Sequence, residues 1–132
     1  MTAVLPAAAR VLIDTPEFGV LSTTDPAGGQ HQCVMWVGRD GNDLVMATKN
    51  YRRQYRNLIA DPRASVLVYS RARPQHYVHI RGTATLVEGG AVELADRLAR
   101  AYTGTSHEVS EEAQRVMIRV TPLRVNVYGA AA

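Results

Sequence analysis

Two compact turn signals, Asp25-Pro26-Ala27-Gly28-Gly29 and Asp40-Gly41-Asn42, separate three apolar, β-branched runs early in the chain. Connections this short cannot carry a parallel crossover, so Phe18 to Thr24, Gln30 to Arg39 and Asp43 to Thr48 are predicted to form an antiparallel meander. Helical spacing of Leu5, Ala8, Ala9, Leu12 and Ile13 predicts a short helix before it, closed by Thr15-Pro16. A second helix is expected over Tyr51 to Ala60, ending before Asp61-Pro62. Two more strands, Ala64 to Ser70 and Tyr77 to Val87, flank the Arg71-Ala72-Arg73-Pro74 loop. After Gly89-Gly90, Ala91, Leu94, Ala95, Leu98, Ala101 and Tyr102 fall on one helical face. A polar loop over 103–112 and a last strand over Gln114 to Tyr128, bent near Pro122, complete the chain. The order of elements describes a mainly β, α+β chain: a small antiparallel barrel with short flanking helices, in one domain over residues 1–132.

Several runs do not alternate. Cys33-Val34-Met35-Trp36-Val37, Leu44-Val45-Met46-Ala47 and Val66-Leu67-Val68-Tyr69 are apolar on both faces. An antiparallel sheet with one wet face alternates, so the second face is expected to be covered by the helices, by a second copy of the chain, or by a flat ligand.

Composition narrows the function classes. Hydrophobic residues make up 46% and charged residues 20%, which fits a globular chain and excludes a low-complexity one. No apolar run approaches the roughly 20 residues of a membrane span, and MTAVLPAAAR lacks the pattern of a secretory leader, so a cytoplasmic protein with no membrane partner is expected. Cys33 is the single cysteine, which excludes an internal disulfide. The formal charge of +3 permits an anionic ligand but is too small to imply nucleic acid. Of the 15 basic residues, all but Lys49 are arginine, the side chain suited to bidentate phosphate or carboxylate binding.

Four of those cations crowd one place. In TKNYRRQYRNLIADPR, Asn50 is a candidate N-cap, with Lys49, Arg52, Arg53 and Arg56 around the start of the helix. The positive end of a helix dipole normally attracts carboxylates, so this arrangement is unfavourable unless an anion binds there. The alternative is a solvated basic face whose arginines meet carboxylates elsewhere. Tyr51 and Tyr55 interleave with the arginines as in a base-stacking platform, but low aromatic content and the lack of a longer basic stripe argue against nucleic acid.

Other chemistries find little support. His31 and Cys33 share a strand face, yet no third ligand stands at a diagnostic spacing, so no metal site is expected. There is no Gly-x-Ser-x-Gly elbow, no Gly-rich dinucleotide loop and no P-loop lysine motif. Met35, Trp36 and Met46 are candidates for a flat slot beside the cationic helix start, with ordinary core packing as the alternative.

The ordered set Phe18-Gly19-Val20-Leu21-Ser22-Thr23, Val34-Met35-Trp36-Val37, Arg52 through Asn57-Leu58, Asp61-Pro62-Arg63-Ala64-Ser65, Tyr77 with Gly82-Thr83-Ala84, and Thr121-Pro122 with Val127-Tyr128-Gly129 resembles a known family. It is similar to the flavin/deazaflavin oxidoreductases related to pyridoxamine 5'-phosphate oxidase, over nearly the whole chain. The resemblance implies a split β-barrel, a homodimer with cofactor sites at the subunit interface, and coenzyme F420 or FMN as the cofactor. It implies that Thr48 and Arg52 hold the ribityl and phosphate part, that Met35 and Trp36 lie beside the ring, and that Tyr77 is an aromatic near the pocket. Gln54 stands where relatives commonly carry a lysine, with Lys49, Arg53 and Arg56 as the cations that would compensate. Gln75 stands where some relatives carry tryptophan. The function so implied is hydride transfer from reduced coenzyme F420 to a conjugated small molecule, with Tyr77 or solvent as proton source. An FMN-dependent oxidase and a cofactor-binding protein without turnover are the alternatives.

Overall fold

The computed structural model describes residues 2–106 and 114–129. In chain order the elements are α1 (Ala7–Asp14), β1 (Phe18–Thr24), β2 (Gln30–Trp36), β3 (Gly38–Asp40), β4 (Asp43–Lys49), α2 (Arg53–Ala60), β5 (Arg63–Tyr69), β6 (Tyr77–Val87), α3 (Ala91–Thr103) and β7 (Arg115–Tyr128). All strand pairs are antiparallel, and they form one curled seven-stranded sheet ordered β2-β1-β5-β6-β7-β4-β3. Its concave side encloses Leu21, Met46, Val66, Ile80, Ile118 and Val120, all fully buried. The result is a mainly β half-barrel carrying three helices.

The expected second strand, Gln30 to Arg39, is divided. Residues through Trp36 pair with β1, whereas Gly38 to Asp40 pair with β4 at the opposite edge of the sheet. Val37 is the crossing point, and its backbone N–H donates to the Tyr102 hydroxyl at 3.0 Å instead of to a strand. A ladder cannot continue where the chain leaves one edge for the other.

The helix starts also shift. α1 begins at Ala7 because Pro6 stands at its N-cap in an extended conformation, while Leu5 is fully buried and donates its N–H to Asn42 Oδ1 at 2.8 Å. α2 begins at Arg53, and Arg52, not Asn50, is its N-cap. The Asn50 amide is taken by Gln114 O at 2.8 Å and the Arg52 amide by Lys49 O at 3.0 Å, so residues 49–52 form a turn against the start of β7.

β4 is apolar on both sides, with Leu44, Val45 and Met46 all buried, and α3 covers its second face through Leu94 and Leu98. β5 alternates buried with half-buried residues, and β2 leaves Val34 67% exposed, so neither is covered on its outer side. The bend near Pro122 is a bulge: Arg81 opposes Arg124 and Gly82 opposes Pro122, leaving Leu123 as the extra residue. A Cβ on Gly82 would stand 2.3 Å from Thr121 O, so only glycine fits. Most of the polar loop expected over 103–112 lies outside the described residues.

Candidate functional site

The open side of the half-barrel, between β2 and β4, forms a cleft that the first turn of α2 closes at one end. One part, of about 460 Å³, is bordered by His31, Cys33, Met35, Thr48, Lys49, Arg52, Arg53 and Gln54. A second, of about 290 Å³, is bordered by Trp36, Ala95 and Leu98. Val34, Met35, Ala47 and Arg115 line both, so the two parts adjoin along β2.

The cationic end is built by α2. No side chain caps this helix, so its first backbone amides have no intrahelical acceptor. No carboxylate stands in its first turn, and the Arg52 guanidinium lies over the Tyr51 ring at 5.6 Å, which Lys49 Nζ also approaches at 5.8 Å. Carboxylates elsewhere hold other arginines: Asp14 holds Arg39, Asp61 holds Arg63, Glu17 holds Arg71, and Asp40 with Asp43 holds Arg119. The helix dipole and the guanidinium groups of Arg52 and Arg53 therefore add at one spot, as an anion site requires.

Gln54 is buried beneath them. Its Nε2 donates to Thr48 Oγ1 at 3.1 Å and lies 3.9 Å from Met35 Sδ, so it ties α2 to β4 and β2. A neutral amide here makes a fixed contact where a lysine would bring charge. Asn57, one turn on, donates to the buried Thr23 Oγ1 at 3.0 Å and anchors the helix to β1.

The apolar end is built by Trp36, which stacks on Tyr102 with ring centroids 5.3 Å apart and planes inclined by 14°. Cys33 is half-buried, and burial pushes its thiol pKa up despite the nearby Arg52 charge, which keeps it protonated. Two buried nitrogens on the cleft wall, His31 Nδ1 and Arg115 Nε, have no hydrogen-bond partner among the described residues. A buried donor or acceptor left unpaired is costly, so these two side chains are held there at some expense to the fold.

Six of the residues expected at a site, Met35, Thr48, Lys49, Arg52, Arg53 and Gln54, meet in the larger part, and Trp36 lines the smaller one. Arg56 and Tyr77 do not line the cleft. Arg56 is exposed and donates to Tyr51 O at 3.4 Å, while Tyr77 stacks on Tyr128 at 4.7 Å. Met46, expected at the slot, is fully buried in the core, because on β4 it faces the barrel interior and Ala47 faces the cleft. His31, Cys33 and Arg115 line the cleft without having been singled out for it. Arg115 becomes visible only once β7 is paired with β4, which sets it opposite Lys49. Among the described residues no group of three His, Cys, Asp or Glu side chains could hold a metal, and no helix is long and apolar enough to cross a membrane.

Known proteins agree with this architecture. An F420 reductase of solved structure superposes with a TM-score of 0.84 at 28% identity, over 92% of this chain and 98% of its own. A conserved hypothetical protein of Mycobacterium tuberculosis gives 0.78 at 23% identity, over 98% of this chain and 88% of its own. General Stress Protein 26 of Bacillus anthracis gives 0.74 at 19% identity, over 92% and 91%. The last two likenesses show the fold alone. No curated protein sequence matches the chain. Residues 5–129 match the profile of the pyridoxamine 5'-phosphate oxidase family, and the chain belongs to that family.

Proposed function

We propose that this chain is a cytoplasmic, homodimeric reductase that uses reduced coenzyme F420 to deliver a hydride to a conjugated small molecule. The observation that carries the reading is the uncapped, arginine-bearing start of α2 opening onto a partly apolar cleft. Along β2, His31 to Trp36 spans about 17 Å at strand rise, room for a phosphodiester chain by α2 and a fused ring beside Met35. The similarity to an F420 reductase supports the same cofactor.

In this reading Arg52 and Arg53 bind the phosphodiester together with the α2 amides, Lys49 extends the positive field toward an acidic tail, and Thr48 and Gln54 form the floor. Met35 and Val34 would form the apolar wall of the larger part against which the ring lies, with Trp36 at its edge, and the smaller part beyond, lined by Trp36 and Leu98, would be left for the substrate. Bound there, the reduced deazaflavin supplies the hydride. Tyr77 does not line its own chain's cleft, so it serves a site only from a second copy, and otherwise solvent supplies the proton. The exposed Val34 and Tyr128 and the half-buried Val20, Leu67 and Tyr77 on the outer side of the sheet support that second copy.

FMN is the second reading, favoured by family membership, and a carrier without turnover is the third, favoured by Gln54 in place of a lysine. Separate titrations with coenzyme F420 and FMN, followed through quenching of the single tryptophan, Trp36, discriminate among them. The proposal predicts tighter binding of coenzyme F420, followed by its oxidation in the presence of an activated alkene. Tight binding of FMN alone would overturn it, and binding without oxidation across a panel of enones and quinones would favour the carrier.

A further inference from the structure

We propose that Arg115 selects the substrate: the apolar part of the cleft takes a planar, unsaturated molecule that presents a carbonyl or carboxylate oxygen to the Arg115 guanidinium. The inference rests on the reading of the adjoining cationic part as the cofactor site. Arg115 opens β7 and lines both parts, so it stands where a cofactor ring and a second molecule would meet. Its Nε is buried and has no hydrogen-bond partner among the described residues. A guanidinium whose Nε is buried without a hydrogen-bond partner among the described residues carries a desolvation cost, and an oxygen acceptor offered to the rest of the guanidinium from the cleft would offset it.

The remaining walls restrict which acceptor fits. Beyond Arg115 the pocket is lined by Val34, Met35, Trp36, Ala47, Ala95 and Leu98, a uniformly apolar set around about 290 Å³. A small hydrated anion would gain one partner there and trade water for apolar contacts along the walls. A flat apolar body with a single oxygen group satisfies both the walls and the guanidinium. The volume is at the small end for ligand pockets, which limits the body to one or two rings. The phosphate-binding cations lie at the other end, so Arg115 is not needed to neutralise the cofactor's phosphodiester.

The test measures binding to the full chain by calorimetry, using trans-cinnamate, benzylideneacetone and trans-β-methylstyrene, with and without saturating coenzyme F420. The two oxygen-bearing probes should bind about ten-fold or more tighter than β-methylstyrene, the scale of one hydrogen bond to a charged group. Arg115→Gln should abolish that preference while leaving β-methylstyrene affinity within about two-fold, and Arg115→Lys should retain part of it. Preference for the acid assigns carboxylates as the substrate class, and preference for the ketone assigns conjugated carbonyls. Equal affinity for all three probes in the wild-type chain overturns the inference, as does a preference that survives Arg115→Gln. Displacement of the probes by coenzyme F420 overturns it too, since the pocket would then belong to the cofactor. If coenzyme F420 does not bind while the oxygen preference persists, the cofactor reading falls and the assignment of Arg115 stands.

Discussion

Tyr102→Phe removes one oxygen atom from the point where the chain crosses between the two edges of the sheet. That hydroxyl accepts the Val37 amide at 3.0 Å, faces Val37 O at 3.1 Å and donates to Glu17 O. Val37 is 2% and Glu17 9% exposed, so the N–H and the carbonyl released by the substitution have little access to water. Each buried group left unpaired costs about 1–3 kcal/mol, and with partial rescue by water the pair should cost about 2–4 kcal/mol. At about 4 °C per kcal/mol for a domain of this size, the melting temperature should fall by roughly 8–16 °C. The phenyl ring keeps its stacking on Trp36 and Phe18, so the loss isolates the hydroxyl. Urea unfolding monitored by far-UV circular dichroism measures it, with an unchanged m-value and unchanged native tryptophan emission as controls. A loss below about 0.5 kcal/mol would refute the view that Tyr102 secures the crossing.

Gly82→Ala would push a Cβ against Thr121 O at 2.3 Å and Val120 Cγ1 at 2.9 Å, and should cost at least about 1–3 kcal/mol in urea unfolding; a neutral effect would contradict the bulge packing. His79, hydrogen-bonded to Ser65 Oγ at 3.1 Å, has its pKa lowered by burial and then by the Arg81 charge. The unfolded chain therefore takes up the proton first, so this group's contribution is fully present above its ordinary value of 6.5 and is lost as pH falls through the folded-state value. His79→Gln should flatten the loss of stability on acidification below that value, and an NMR titration placing His79 at or above 6.5 would contradict the assignment.

The two hairpins, β1 with β2 and β3 with β4, and α3 were legible because they depend on neighbours in sequence, turn residues between apolar runs and an apolar stripe at helical spacing, whereas the single three-strand meander expected from them is split between the two edges of the sheet. The crossing at Val37 was not, because its partner Tyr102 lies 65 residues away. Asn50 has the right chemistry for an N-cap, but its amide is claimed by Gln114, a residue only the β4–β7 pairing brings near. The same contrast holds at the site. Clustering of Lys49, Arg52 and Arg53 against the helix dipole is a local signal and led to the cleft. Arg115 enters through strand pairing, and Tyr77 lies off the cleft where the β6–β7 ladder sets it against Tyr128.

The central claim is that the start of α2 is the anion-binding half of a deazaflavin site. The dissociation constant of coenzyme F420 for the wild-type chain and for Arg52→Ala, read from Trp36 emission, tests it most directly. Arg52 is exposed, and among the described residues its guanidinium makes a ring contact to Tyr51 and no ion pair, so the variant should keep its melting temperature. Loss of one charge-assisted contact to the phosphodiester should weaken binding by about 10- to 150-fold. Equal affinities in the two proteins would contradict the assignment.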